Sequence, residues 1–208
     1  MPHKCWFIFD LGNVVVKVAY ERVLAAICSR SDVQRDELVR LMEEPGGYHD
    51  LERGAVSFRE FHQHLVEVAG YRDDIHELYR IWSDFFDGTI EGIEELLERV
   101  RAEYRVAFLS NSNPVHAEVI PRQFAILFRK EDRLFFSHVY ECAKPDPAIF
   151  NRVLHELQAD PDEVVFVDDL AENVSAAKNL GITAYQFHNT LDLTAELERD
   201  GLLKPTAR

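Results

Sequence analysis

Three short runs of consecutive apolar residues, each closed by polar ones, constrain this chain most. They are residues 5–9 before Asp10, residues 106–109 before Ser110-Asn111, and residues 164–167 before Asp168-Asp169. Continuous β-branched and aromatic runs of this length suit strands buried on both faces, in the middle of a parallel sheet. Residues 183–187 and 135–140 are expected as two further strands. Helical patterns lie between them: Ile90, Ile93, Leu96, Leu97 and Val100 share one face, and Phe150, Val153, Leu154 and Leu157 another. Asp146-Pro147 and Asn113-Pro114 each supply a cap followed by a first-turn proline. Strands alternating with helices predict an α/β fold, a Rossmann-like doubly wound parallel sheet.

One stretch breaks the alternation. Residues 18–87 show only helical periodicity, in the sets Val23, Leu24, Ile27 and Leu38, Leu41, Met42, then Phe58, Phe61, Leu65, Val68, then Ile75, Leu78, Tyr79, Trp82. Ser57 with Glu60 forms a capping box for the third set. The expected organisation is a core of residues 1–17 and 88–208 carrying a helical cap of residues 18–87, a size suited to 208 residues. Residues 204–208 are expected as a frayed tail. The net charge of −14 repels polyanions, which excludes nucleic acid and anionic membrane as main partners. Cys5, Cys28 and Cys142 show neither a disulfide framework nor zinc spacing, and no early apolar run is long enough for a leader or a membrane span. A cytoplasmic setting is the expectation.

In open α/β sheets, ligands bind beyond the carboxyl ends of the strands. Those ends carry Asp10, then Ser110 and Asn111, then Asp168 and Asp169, with Lys144 following the 135–140 segment. Three carboxylates crowded together repel one another unless positive charge joins them. A lysine and a hard divalent cation such as Mg²⁺ meet that need, since Mg²⁺ takes a few carboxylate or carbonyl oxygens and keeps the rest of its shell for water or phosphate.

Phe9-Asp-Leu-Gly-Asn-Val-Val15, Leu109-Ser-Asn111, Lys144-Pro-Asp-Pro147 and Val167-Asp-Asp-Leu-Ala-Glu-Asn173 resemble the four motifs of the haloacid dehalogenase-like hydrolases. The helical insert resembles that family's C1 cap. Asp10-Leu-Gly-Asn13 and Glu52-Arg-Gly54 are similar to members that act on glucose 1-phosphate. The resemblance implies that Asp10 is the nucleophile forming an aspartyl-phosphate. It implies that Ser110 and the amides after it hold phosphate oxygens, aided by Asn111, and that Lys144 pairs with both Asp10 and the phosphoryl group. Mg²⁺ would be held by Asp10, the Gly12 carbonyl and Asp169, with Asp168 ligating directly or supporting from behind, and Asn173 would orient that loop.

One position departs from the pattern. The family's phosphatases usually carry a general acid and base two residues after the nucleophile, and here that residue is Gly12. General acid catalysis contributes about 10²–10⁴-fold, so its loss demands a remedy. Either the substrate's leaving group departs unaided, as from an anomeric or acyl phosphate, or a cap residue such as His49 or Glu52 substitutes. Arg53 and His116 are expected to bind substrate. Asn13 suits a turn at positive φ. The resulting expectation is a Mg²⁺-dependent phosphatase acting on a small phosphorylated metabolite, such as glucose 1-phosphate. The alternatives are a metal-independent haloacid dehalogenase and a binding or regulatory protein with a degenerate site. Nothing in the sequence speaks to oligomeric state.

Overall fold

A computed structural model describes residues 4–205, so most of the expected tail lies outside the described residues. The chain opens with β1 (Trp6–Phe9) and β2 (Val16–Val18). Five helices follow: α1 (Tyr20–Cys28), α2 (Arg35–Met42), α3 (Tyr48–Glu52), α4 (Phe58–Ala69) and α5 (Ile75–Ser83). Then come β3 (Phe86–Thr89), α6 (Ile93–Arg101), β4 (Arg105–Ser110), α7 (Pro114–Gln123), β5 (Arg133–Phe136) and α8 (Ser137–Tyr140). The last stretch holds α9 (Pro147–Leu157), β6 (Val164–Asp168), α10 (Ala171–Asn179), β7 (Thr183–Gln186) and α11 (Thr190–Arg199).

Five strands form one parallel sheet in the order β5-β4-β1-β6-β7. Both faces are covered, which explains the unbroken apolar runs. Along β1, Phe7 and Phe9 join the apolar cluster that includes Leu97, Val100 and Leu197. Trp6 and Ile8 join the opposite one, with Ile149, Phe150 and Val153. That alternation is the two-residue period of a strand. The chain leaves β1 towards β4 on one side and returns to β6 on the other, so the strand order reverses beside β1. A crevice opens at such a reversal, beyond the carboxyl ends. Phe9 pairs with both Phe108 and Val167, which brings the ends of β4, β1 and β6 level.

The helical sets of the insert bury most of the faces their spacing predicts, but Phe58, Val68, Ile75 and Tyr79 are only half-buried, and Ala69 and Ile81, outside the expected sets, are buried. Val23, Leu24 and Ile27 are buried in α1, Leu38, Leu41 and Met42 in α2, and Leu78, Ile81 and Trp82 in α5. The Ser57–Glu60 capping box forms. Two expectations need correction. Helical periodicity was expected throughout residues 18–87, yet β2 and β3 pair as an antiparallel ribbon (Val16 with Thr89, Val18 with Phe86), and the expected boundaries at 17/18 and 87/88 fall within these strands. Three- and four-residue strands are too short to show a period. The strand expected at 135–140 instead spans Arg133–Phe136 and turns into α8. Its aromatic and β-branched residues suit a strand, but Val139 is left largely exposed. No disulfide joins the described cysteines, and no helix among the described residues is long and apolar enough to cross a membrane.

Candidate active site

The level strand ends bring Asp10, Ser110 and Asp168 together, and the loops beyond them add Asp169 and Lys144. Oxygens of Asp10, Asp168 and Asp169 lie within 4.8 Å of one another. Lys144 reaches into this cluster from the loop after α8, and its Nζ is fully committed. It donates to Asp10 Oδ1 at 2.7 Å, to Asp168 Oδ2 at 2.7 Å and to the Leu109 carbonyl at 2.9 Å. An ammonium has three protons. All three go to protein, so the expected pairing with Asp10 is present, while a phosphoryl group here would feel the lysine chiefly through its field.

Burial pushes the Asp10 carboxyl up to about 7 against the pull of Lys144, and Asp168 and Asp169 push the same way. Burial alone would drag the Lys144 ammonium down, but Asp10 and Asp168 outweigh it and hold it above the usual lysine value. Burial and then Asp168 raise the Asp169 carboxyl, although Asn13 hydrogen-bonds to it. The cluster is therefore rich in negative charge that a single lysine does not settle.

The loops around the cluster are held by side chains. Asp168 Oδ1 accepts from the Leu170 amide and from Asn173 Nδ2, both at 2.9 Å. Asn173 is buried rather than spread on a helix surface, and its Oδ1 has no protein donor. Asn13 sits at φ 55°, the left-handed turn expected of it. Its Oδ1 accepts from the Val18 amide at 3.3 Å while its amide group turns to Asp169. Sequence reasoning found the turn and missed that contact.

Three expectations for substrate-binding groups change. Asn111 clamps Lys144 instead: Nδ2 donates to the Lys144 carbonyl and Oδ1 accepts from its amide, both at 2.8 Å. Both ends of the Asn111 amide are thereby used. The amide of Ser112, one of those expected at phosphate, donates to Ser137 Oγ at 2.8 Å. His116 borders the cavity but is spent on protein. Its backbone amide donates to Asn113 Oδ1, which turns Asn113 Nδ2 towards His116 Nδ1 at 3.0 Å. Nδ1 is then the acceptor, and Nε2–H donates to the Trp82 carbonyl at 3.2 Å. Burial among Trp82, Phe85 and Phe86 depresses the imidazole pKa to about 3. This neutral ring ties α7 of the core to the end of α5.

Ser110 is buried, with Oγ held only by the Asn111 carbonyl at 3.3 Å, and it borders the cavity together with Gly12. That cavity, of about 1080 Å³, has the acidic cluster as its floor. Its roof comes from the helical insert, including Tyr20, Met42, Tyr48, Glu52 and Arg53. Arg53 lies at the rim, half-exposed, and pairs with Asp50 at 2.6 Å. Sequence reasoning missed Ser137, although it too follows a parallel strand. The rule that found Asp10 and Ser110 would have found it had the strand been ended at Phe136.

A family model described as haloacid dehalogenase-like hydrolase matches residues 6–181. D-ribitol-5-phosphate phosphatase of Bacteroides thetaiotaomicron is 27% identical over 198 residues, covering 91% of this chain and 95% of that protein. Among solved structures, a HAD-like family hydrolase from Porphyromonas gingivalis superposes with a TM-score of 0.80 at 24% identity, covering 98% of this chain and 99% of that one. A haloacid dehalogenase-family enzyme from Bacteroides thetaiotaomicron, in complex with magnesium and inorganic phosphate, gives 0.77 at 23% identity, covering 90% and 96%. At these identities the structural likeness speaks to the fold.

Proposed function

The chain belongs to the haloacid dehalogenase-like hydrolases, and from that premise we propose that it hydrolyses a sugar phosphate, glucose 1-phosphate being the test case, through an aspartyl-phosphate on Asp10. It is a phosphoric monoester hydrolase. The observation that carries the reading is the acidic cluster with Lys144 in its midst, set at the floor of a cavity roomy enough for a phosphorylated sugar.

The donor set fits Mg²⁺. Hard carboxylate oxygens converge, one lysine leaves their charge unbalanced, and Asn173 Oδ1 is a buried acceptor without a protein donor, as expected beside a hydrated cation. Asp10, Asp169 and the Gly12 carbonyl would hold the ion, with Asp168 behind them, since both its oxygens are already engaged by Lys144, Leu170 and Asn173. When bound, the ion supplies the positive charge that lets a carboxylate meet a phosphate dianion. Asp10 attacks phosphorus, which in a loose transition state asks for position and charge neutralisation more than for a strong nucleophile. Lys144 pulls Asp10 towards its ionised form and aims it, and Asn111 keeps Lys144 in place. Ser110 Oγ, lightly held, is free to turn towards a phosphate oxygen. The helical insert acts as the cap that closes over the sugar.

Phosphate release from a sugar-phosphate panel, with Mg²⁺ and with EDTA, tests this. Release abolished by EDTA is the expected result, with glucose 1-phosphate ahead of ribitol 5-phosphate. Turnover of a 2-haloacid that survives EDTA would make the protein a dehalogenase. Absence of any turnover would leave a binding module.

A further inference from the structure

Resting on the phosphatase reading, we infer that Glu52 of the cap is the general acid and base of the reaction, standing in for the carboxylate that Gly12 lacks. A Cβ at position 12 would lie 3.9 Å from Asp10 Oδ2 and 3.3 Å from Val18 Cγ2, so a side chain there would lie beside the nucleophile. Glycine supplies no side chain there, and it borders the cavity that the cap roofs. Glu52 borders the same cavity as Asp10 and Lys144.

Its position is built rather than incidental. The Glu52 carbonyl accepts from Ser137 Oγ at 2.5 Å, and the same Oγ accepts from the Ser112 amide at 2.8 Å. A single hydroxyl therefore ties the backbone of Glu52 to the loop that follows Ser110. Two residues on, Gly54 has φ 68°, and a Cβ there would run into the His138 carbonyl, so only glycine lets this strip of cap lie on the core. The charged and titratable groups facing the Glu52 carboxyl are Tyr48 and His49 from its own helix, Tyr20 from α1, and Lys144 from the core. Burial raises its pKa, while the Tyr48 hydroxyl, which donates to it, His49 and Lys144 pull the other way. A carboxyl lifted above its ordinary range can hold a proton nearer neutral pH, as an acid at this step must.

The chemistry balances on this chain's own groups. An Asp10 carboxylate oxygen attacks phosphorus and the bond to the leaving oxygen breaks. That oxygen keeps the electron pair and takes the proton of Glu52. The Glu52 carboxylate then removes a proton from water as the water oxygen attacks phosphorus. The bond to Asp10 breaks, its electron pair returns to the carboxylate, and Glu52 is protonated again.

Leaving-group dependence tests the inference, measured as kcat/KM on the full chain with Mg²⁺. A primary alkyl phosphate needs a proton on its leaving oxygen, and 4-nitrophenyl phosphate does not. Glu52→Gln is expected to lower kcat/KM about 100-fold or more for the alkyl ester and less than about 5-fold for the aryl ester. With the aryl ester the variant should release about one nitrophenolate per enzyme in a burst, because water attack on the phospho-enzyme is slowed. Equal losses on both esters with no burst would overturn the inference while leaving the phosphatase reading intact. No Mg²⁺-dependent turnover of either ester by the unaltered protein would instead sink the phosphatase reading. Tyr48→Phe keeps the carboxyl and removes a bond that lowers its pKa, so the alkaline limb of the alkyl-ester profile should move to higher pH. An unmoved limb would count against Glu52.

Discussion

The floor and the roof of the cavity are built on opposite principles. On the floor most donors and acceptors are committed to protein partners, Asn173 Oδ1 and the lightly held Ser110 Oγ excepted. Lys144 spends three protons, Asp168 both oxygens and Asn111 both ends of its amide. On the roof Arg53 is half-exposed on a single aspartate, and Glu52 is steered mainly through its backbone. On a floor wired so densely, losing the shared partner Lys144 strands Asp10 and Asp168 in low dielectric. Loosely partnered roof side chains such as Arg53 can change, and with them the substrate, while the reaction stays the same. Stability and chemistry are therefore coupled through Lys144 below and separable above.

The sharpest way to break that contrast is Asp10→Asn. It should lower turnover at least about 10⁴-fold, yet the melting temperature should hold or rise, because the substitution removes one charge from a repelling cluster. A fall in melting temperature would show that Asp10 stabilises the floor as well as serving it. Lys144→Met comes next. It should cost about 10³-fold in kcat/KM and about 3–5 kcal/mol in urea unfolding, since two buried carboxylates lose their counter-charge. Unchanged stability would deny the coupling of chemistry to fold.

His116 probes the joint between the two regions. Its folded pKa of about 3 lies below the usual 6.5, so the unfolded chain takes up the proton first. Its contribution is intact above about pH 6.5 and is lost as pH falls towards 3, at up to about 1.4 kcal/mol per pH unit. The stability gap between the unaltered protein and His116→Phe should shrink across that window, and a constant gap would contradict the neutral assignment. The smallest effect belongs to Arg53→Ala. It should raise KM about 3–10-fold, leave kcat unchanged and shift stability by less than about 0.5 kcal/mol. A large loss of stability would place Arg53 with the floor rather than the rim.

Much of the floor was legible beforehand. Asp10, Ser110, Asp168 and Asp169 stand out because a buried parallel strand must end in polar residues at the sheet's open edge, and Lys144 follows from their charge. The turn at Asn13 and the three caps of α4, α7 and α9 were equally local, and they are present. His116 and Asn111 misled for one reason: polar side chains near a site look alike in sequence whether they face a ligand or brace a neighbour. The bracing partners, the Trp82 carbonyl and the Lys144 backbone, are 34 and 33 residues away. The ribbon of β2 and β3 escaped notice because its pairing spans the whole insert.

Composition and short-range order in the chain were enough to settle the layered α/β architecture, the helical insert and the row of acids, because hydrophobic period, capping and strand ends are encoded within a few neighbouring residues. Only folding decided which polar groups are consumed and which are left to act. Tying the Glu52 backbone to the Ser112 loop through Ser137, and silencing His116 against Trp82, are events between distant segments. Burial and hydrogen-bond geometry there come into being when the cap meets the sheet.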